Sequence, residues 1–240
     1  DRSVVTESGQ TRAAAVTLGE IRVNGDLVLG DSGLPVGAIA VDAPSLAALG
    51  AVVGQPVDGT LSAQLRLSDT PGDPALAFRA EGPAVRFGDI RMSALRANGR
   101  FDHIQDGVQG TAELTVASVS GSVDAADIRL TAKGRGDTID VAMGGTVNGA
   151  RIDLAGSISE AEAGRDITLS KATARKDALT VQLAEPARLS LVESEARIGK
   201  LAFAVGSGRI EIGGTVSAAN LDLATRVTGL PASLADAFAP

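Results

Sequence analysis

Leu61-Ser62-Ala63-Gln64-Leu65-Arg66-Leu67 places apolar residues at odd positions and polar or small ones between them. Successive strand residues point to opposite sides, so a period of two reads as a strand with one apolar and one wet face. The same alternation returns in Ile128-Arg129-Leu130-Thr131, Ile152-Asp153-Leu154, Leu179-Thr180-Val181-Gln182-Leu183, Ile210-Glu211-Ile212 and Leu221-Asp222-Leu223. Strands buried on both faces would read as continuous apolar runs instead. The sequence therefore predicts an all-β, mainly antiparallel protein of a dozen or more strands.

Punctuation between these runs agrees. Asn24-Gly25, Asp58-Gly59, Asn98-Gly99, Asp106-Gly107 and Asn148-Gly149 are hairpin signals, because type I′ turns need positive φ at both central residues. Two stretches depart from the alternation. Pro44-Ser45-Leu46-Ala47-Ala48-Leu49, after Asp42 as N-cap, predicts a short helix near 44–50, and Pro231 to Phe238 predicts a second over 231–238. Each shows Pro, then Ser-Leu-Ala, which suits the same element opening two successive units. No stretch reads as a long linker, so one continuous domain over 1–240 is expected.

Composition narrows the function. The 240 residues are 44% hydrophobic but only 2% aromatic, with no Trp or Tyr, so the apolar material is Val, Leu, Ile and Ala. The formal net charge of −7 and the absence of a basic stripe along the sequence argue against nucleic acid and against charge-driven docking on an anionic membrane. No cysteine is present, which removes disulfides, thiolate metal sites and Cys nucleophiles. The chain starts at Asp1 and contains neither a signal peptide nor an 18-residue apolar run, which reads as a segment of something longer.

Constellations for chemistry are missing. His103 is the single histidine and sits beside a turn signal. Glu160, Glu162 and Asp166 form the densest acidic group but lack the spacing of a calcium loop, so they read as a solvated loop. Arg135-Gly136-Asp137 reads as a turn, and Gly206-Ser207-Gly208 and Gly213-Gly214 lack the following helix that a phosphate loop requires. The expectation is no enzyme, no metal and no cofactor.

What remains is the apolar phase itself. Ile21, Val23, Leu61, Leu65, Leu67, Val85, Phe87, Ile90, Leu114, Val116, Ile128 and Leu130 carry it through the first half. Ile139, Val141, Ile152, Leu154, Leu179, Val181, Leu189, Leu191, Leu201, Phe203, Ile210, Ile212, Leu221 and Leu223 continue it. Two arrangements satisfy this pattern: a sandwich or barrel core, or the lining of one strongly curved sheet.

The layout resembles the TamB family, the translocation and assembly module subunit, within the AsmA-like bridge-type lipid transfer proteins. The resembling stretches are Pro44 to Leu49 leading into Gln55-Pro56-Val57-Asp58-Gly59-Thr60-Leu61, then Ile90 to Phe101, then Val147 to Gly156. The resemblance implies an elongated, U-shaped β-trough with an apolar interior, set in the periplasm as part of an inner-membrane-anchored Gram-negative envelope protein. It implies carriage of phospholipid acyl chains between membranes, an Omp85-type outer-membrane barrel as partner of the parent chain, and help to outer-membrane protein clients. Two other functions fit a β-rich chain of this kind: a chaperone for outer-membrane proteins acting by strand addition, and an extracellular β-solenoid adhesin. The Asn-Gly hairpins argue against the solenoid's short regular coils.

Overall fold

The computed structural model describes residues 4–8, 11–30, 33–70, 73–104, 107–161, 164–192, 195–217 and 220–230. Contacts divide the chain into two compact units, Asp1–Gly136 and Asp137–Pro240. Among the described residues the structure is nearly all antiparallel β, with one helix.

The first unit is a meander. It contains β1 (Val4–Ser8), β2 (Thr11–Leu18), β3 (Ile21–Leu29), β4 (Pro35–Ala43), β5 (Val57–Gly59), β6 (Leu61–Thr70), β7 (Asp73–Phe87), β8 (Ile90–Asp102), β9 (Val108–Ser120) and β10 (Ala125–Gly136). Each strand pairs antiparallel with the next, except that β4 pairs with β6 and the short β5 pairs with β7. The helix α1 (Ala47–Val53) lies between β4 and β5.

The second unit contains β11 (Thr138–Val147), β12 (Ala150–Ala161), β13 (Gly164–Lys176), β14 (Leu179–Leu183), β15 (Ala187–Val192), β16 (Glu195–Val205), β17 (Gly208–Ser217) and β18 (Leu221–Thr228). It is also a meander. There β14 and β15 share the space between β13 and β16, one beside each half of those longer strands.

The turns follow the backbone chemistry of their residues, with one correction. Asn148-Gly149 closes a two-residue hairpin with φ of 48° and 77°. Asn24-Gly25, Asp58-Gly59 and Asn98-Gly99, expected to be turns, lie inside β3, β5 and β8, and Asp106 lies outside the described residues. Gly99 is there for space: a Cβ on it would come within 2.6 Å of the Phe78 ring, which lies across it. The other tight hairpins use Gly19, Gly88, Asp177 and Gly206, each with φ between 52° and 61°.

The first expected helix forms three residues later than the sequence placed it, at Ala47–Val53, and Asp42 does not cap it. Asp42 stays in β4, where it pairs with Arg22 across the β3–β4 ladder. The Ser45 hydroxyl instead accepts a bond from the Ala47 N–H at 3.3 Å. The second expected helix, over 231–238, lies outside the described residues.

A small core sits beneath α1. Ile21, Ala43 and Leu46 are buried there, with Val23, Val41, Ala48, Leu49, Val57, Leu61 and Val85 packed against them. The Leu46 N–H donates to the Gly59 carbonyl at 2.9 Å, which ties the entry of the helix to β5.

Candidate functional site

Cross-strand partners lie on the same side of a sheet, so the register shows which side chains share a face. In the first unit Ile39, Leu65, Phe78, Gly99, Ala112 and Ala132 are successive partners across β4 and β6 to β10. Ala63, Ala80, Ala97, Leu114 and Leu130 form the neighbouring row. Leu67, Leu76, Phe101, Gly110 and Gly134 form a third. Of the expected apolar positions, Leu61, Leu65, Leu67, Leu114, Val116, Ile128 and Leu130 therefore share one face.

Val85 and Phe87 are out of phase with Leu76 and Phe78 by one residue, and the register explains how they join the same face. The alternation slips at Pro83 in β7, Ala94 in β8, Ala117 in β9 and Asp127 in β10. These four positions stand opposite one another in the continuing registers, so the slips form a single line across four strands. Ala94 and Asp127 take left-handed φ values of 49° and 52° there. Proline suits this line because it has no N–H to give to a ladder. Beyond it the apolar partners are Val85 with Met92, Met92 with Val119, and Val119 with Ala125. A Cβ on Gly82 would meet the Val85 side chain at 2.8 Å and that of Leu61 at 3.6 Å. Val85 thus projects on the side of Gly82 and Leu61, and the slip keeps the apolar side unchanged.

The second unit uses the same device. In β12 the positions Ile152, Leu154, Gly156 and Ile158 alternate without interruption. Their partners in β13 are Ala174, Ala172, Leu169 and Ile167, so one extra residue is inserted in β13, between Leu169 and Ala172. Ser170 occupies that bulge and its hydroxyl donates to the Ala155 carbonyl at 3.1 Å, beside the register shift. In β16 a second bulge at Gly199 and Lys200 lets Ile198 and Leu201 both pair on the apolar side of β17, with Gly214 and Ile212. Ile139, Val141, Ile152, Leu154, Val181, Leu189, Leu191, Leu201, Phe203, Ile210, Ile212, Leu221 and Leu223 are joined to this face through their partners. Leu179 follows Val181 on the same phase of β14.

This face is poorly covered. Of the expected apolar residues only Ile21, in the core beneath α1, and Val116, at 6% exposure, are buried. Phe87, Ile90, Leu191, Leu221 and Leu223 are exposed, and the others are partly buried.

The sequence reading missed several members of the face: Ile39, Phe78, Met92, Met143, Ile158 and Ile198. Met92 sits across the slip from Leu95, where strict alternation would send it to the other side. An isolated hydrophobic pair three apart in a strand, such as Met92 and Leu95, is the available signal for a bulge.

The polar side carries charge pairs. Glu185 and Glu211 bracket Lys200 and Arg209, with contacts between 2.8 and 3.4 Å. The Lys200 hydrogen bond holds the Glu185 carboxyl below the usual range, and the Arg209 hydrogen bond does so for Glu211. The Glu185 and Glu211 carboxylates in turn raise the Lys200 ammonium. His103 takes a left-handed φ of 55°, and its Nδ1 lies 3.5 Å from Asp73. Asp166 accepts a hydrogen bond from Ser190 at 2.7 Å, whereas Glu162 lies outside the described residues. Among the described residues no three His, Cys, Asp or Glu side chains are grouped to hold a metal ion, and no helix is long and apolar enough to cross a membrane. No family model, curated protein or solved structure matches the chain.

Proposed function

We propose that the apolar face conducts phospholipid acyl chains, and that the chain is a non-enzymatic periplasmic segment working between two membranes as TamB-like proteins do. The observation that carries this reading is the combination of continuity and exposure. Within each unit the face is kept on one side through every slip or bulge, and nearly all of its lining stays accessible. The bulges at Ser170 and at Gly199 and Lys200 bend the strands that contain them, which supports the curl into a U-shaped trough that the reading requires.

The energetics favour conduction over storage. Each buried CH₂ gains about 0.8 kcal/mol, so a 14-carbon chain leaving for water would lose about 11 kcal/mol. A track of Leu, Ile, Val and Ala rows removes that barrier at every step. Small residues such as Gly99, Ala97, Ala112 and Ala132 interrupt the rows and form no deep pocket that would trap one chain.

The test is site-specific photo-crosslinking in cells. Probes at Leu130, Val141 and Leu154 should capture phospholipid, and probes at the neighbouring Arg129 and Asp153, on the other phase, should not. Equal labelling of both sets would sink the proposal.

A further inference from the structure

The polar side of β6 to β10 holds a charge pattern that the sequence hides. Arg66, Arg79, Arg86, Arg91, Arg96, Arg100, Arg129, Lys133 and Arg135 all fall on it by register, and all nine are exposed. Asp73, Glu81, Asp102 and Glu113 accompany them on these strands and Asp58 of β5 stands opposite Arg86, so the face carries an excess of four positive charges in a chain of net −7. Glu81, Asp102 and Glu113 are already engaged by Arg79, Arg100 and Arg129. Among the described residues Arg66, Arg91 and Lys133 have no ion pair. Arg86 and Arg91 stand directly opposite each other, with Asp58 on the other side of Arg86, so Arg91 is the cation of the pair left without a carboxylate. The other acids nearby, Asp69, Asp89, Asp124 and Asp127, sit at strand ends, turns and the slip.

We infer that this basic face docks on the surface of an anionic phospholipid bilayer. At the usual strand spacing and rise it measures about 20 by 30 Å, a two-dimensional array that suits a plane of phosphates. Ser62, Gln64, Asn98, Thr111, Thr115 and Thr131 fill the positions between the cations with hydrogen-bonding groups. The face has no aromatic residue, which removes the stacking platform that a single nucleic-acid strand uses. A second copy of the chain offers no strongly acidic face on β11 to β18, because Asp153, Glu195, Glu185 and Glu211 are already paired with Arg151, Arg197, Lys200 and Arg209. Salt limits charge effects to about 10 Å at 0.1 M, so acids elsewhere on the chain do not cancel the face at contact.

The experiment is co-sedimentation of the chain with vesicles of phosphatidylcholine alone or mixed equally with phosphatidylglycerol. Binding should require phosphatidylglycerol and collapse at 1 M salt, where the screening length is about 3 Å. Each cation near such a surface is worth about fivefold in partitioning. Combined Arg66→Ser, Arg91→Ser, Arg96→Ser and Lys133→Ser should therefore weaken binding by several hundredfold. Lys171→Ser, Arg175→Ser, Arg188→Ser and Arg226→Ser together remove the same charge from the second unit and should change it little. Equal binding to phosphatidylcholine would assign the contact to the apolar face and overturn the inference. So would equal losses in the two quadruple variants, or tighter capture by polyglutamate or single-stranded DNA than by vesicles. The vesicle and salt comparisons use the unaltered chain and decide the matter even if a variant fails to fold.

Discussion

Truncating leucines in one unit distinguishes an uncovered face from a core. Leu46 is 4% exposed beneath α1, whereas Leu65 and Leu130 are partly buried on the apolar face of the same unit. Leu→Ala removes about three CH₂ equivalents, about 2.4 kcal/mol of transfer free energy for a fully buried side chain. At Leu46 the surrounding Ile21, Ala43 and Val57 leave a cavity, which brings the expected loss to about 3 kcal/mol. At Leu65 and Leu130 solvent already reaches the side chain, so part of the transfer term is absent and no sealed cavity forms. The expected loss there is about 1 to 1.5 kcal/mol. Urea unfolding measures the difference as shifts in midpoint at constant slope. Losses of about 3 kcal/mol at Leu65 and Leu130, equal to that at Leu46, would mean that a second layer covers the face, and the proposed lipid track would fall with it.

Two further outcomes follow from local geometry. Ala94→Gly should raise stability by about 0.5 to 1 kcal/mol by relieving the left-handed φ of 49°, whereas Ala94→Val should lower it, a pair of melting curves being enough to check the sign. The Glu185–Lys200–Arg209–Glu211 group sets an acid limit. Its carboxyls have folded-state values below the ordinary 4.5, so their contribution is present above that pH and is lost as pH falls through the lowered values. Glu211→Gln should flatten the acid side of a stability–pH profile below 4.5, and an unchanged profile would show the network to be inert.

The alternation was legible because it is local: Leu61 to Leu67 and Ile128 to Leu130 display the two faces without reference to any other strand. The Asn148-Gly149 turn was legible for the same reason. Asn98-Gly99 was not, because the cause of that glycine is Phe78, a residue in another strand whose ring needs the space. The bulges were hidden similarly. Nothing near Ser170 announces that Leu169 and Ala172 face one way until Gly156 and Leu154 are set opposite them. The basic face is the strongest case. Arg79, Arg86, Arg91, Arg96 and Arg100 are interleaved with Glu81, Asp89 and Asp102 along the chain, so the sequence reads as mixed charge. Folding carries Asp89 to a turn and leaves the arginines side by side with Arg129 and Lys133 from β10. Charge sorting of this kind is a property of register, and a linear reading averages it away.

The aligned slip at Pro83, Ala94, Ala117 and Asp127 also constrains how such a sheet can change length. Each of the four strands carries one residue beyond strict alternation at the same level. Deleting that residue from β8 alone would turn Met92 and Ile90 toward the arginines and bring Arg91 onto the apolar side, while its neighbours kept their old sense. Only matched deletions in all four strands would leave the two faces intact. The line therefore works as a reading frame written across the chain, in which single-residue insertions and deletions are errors unless they occur in concert.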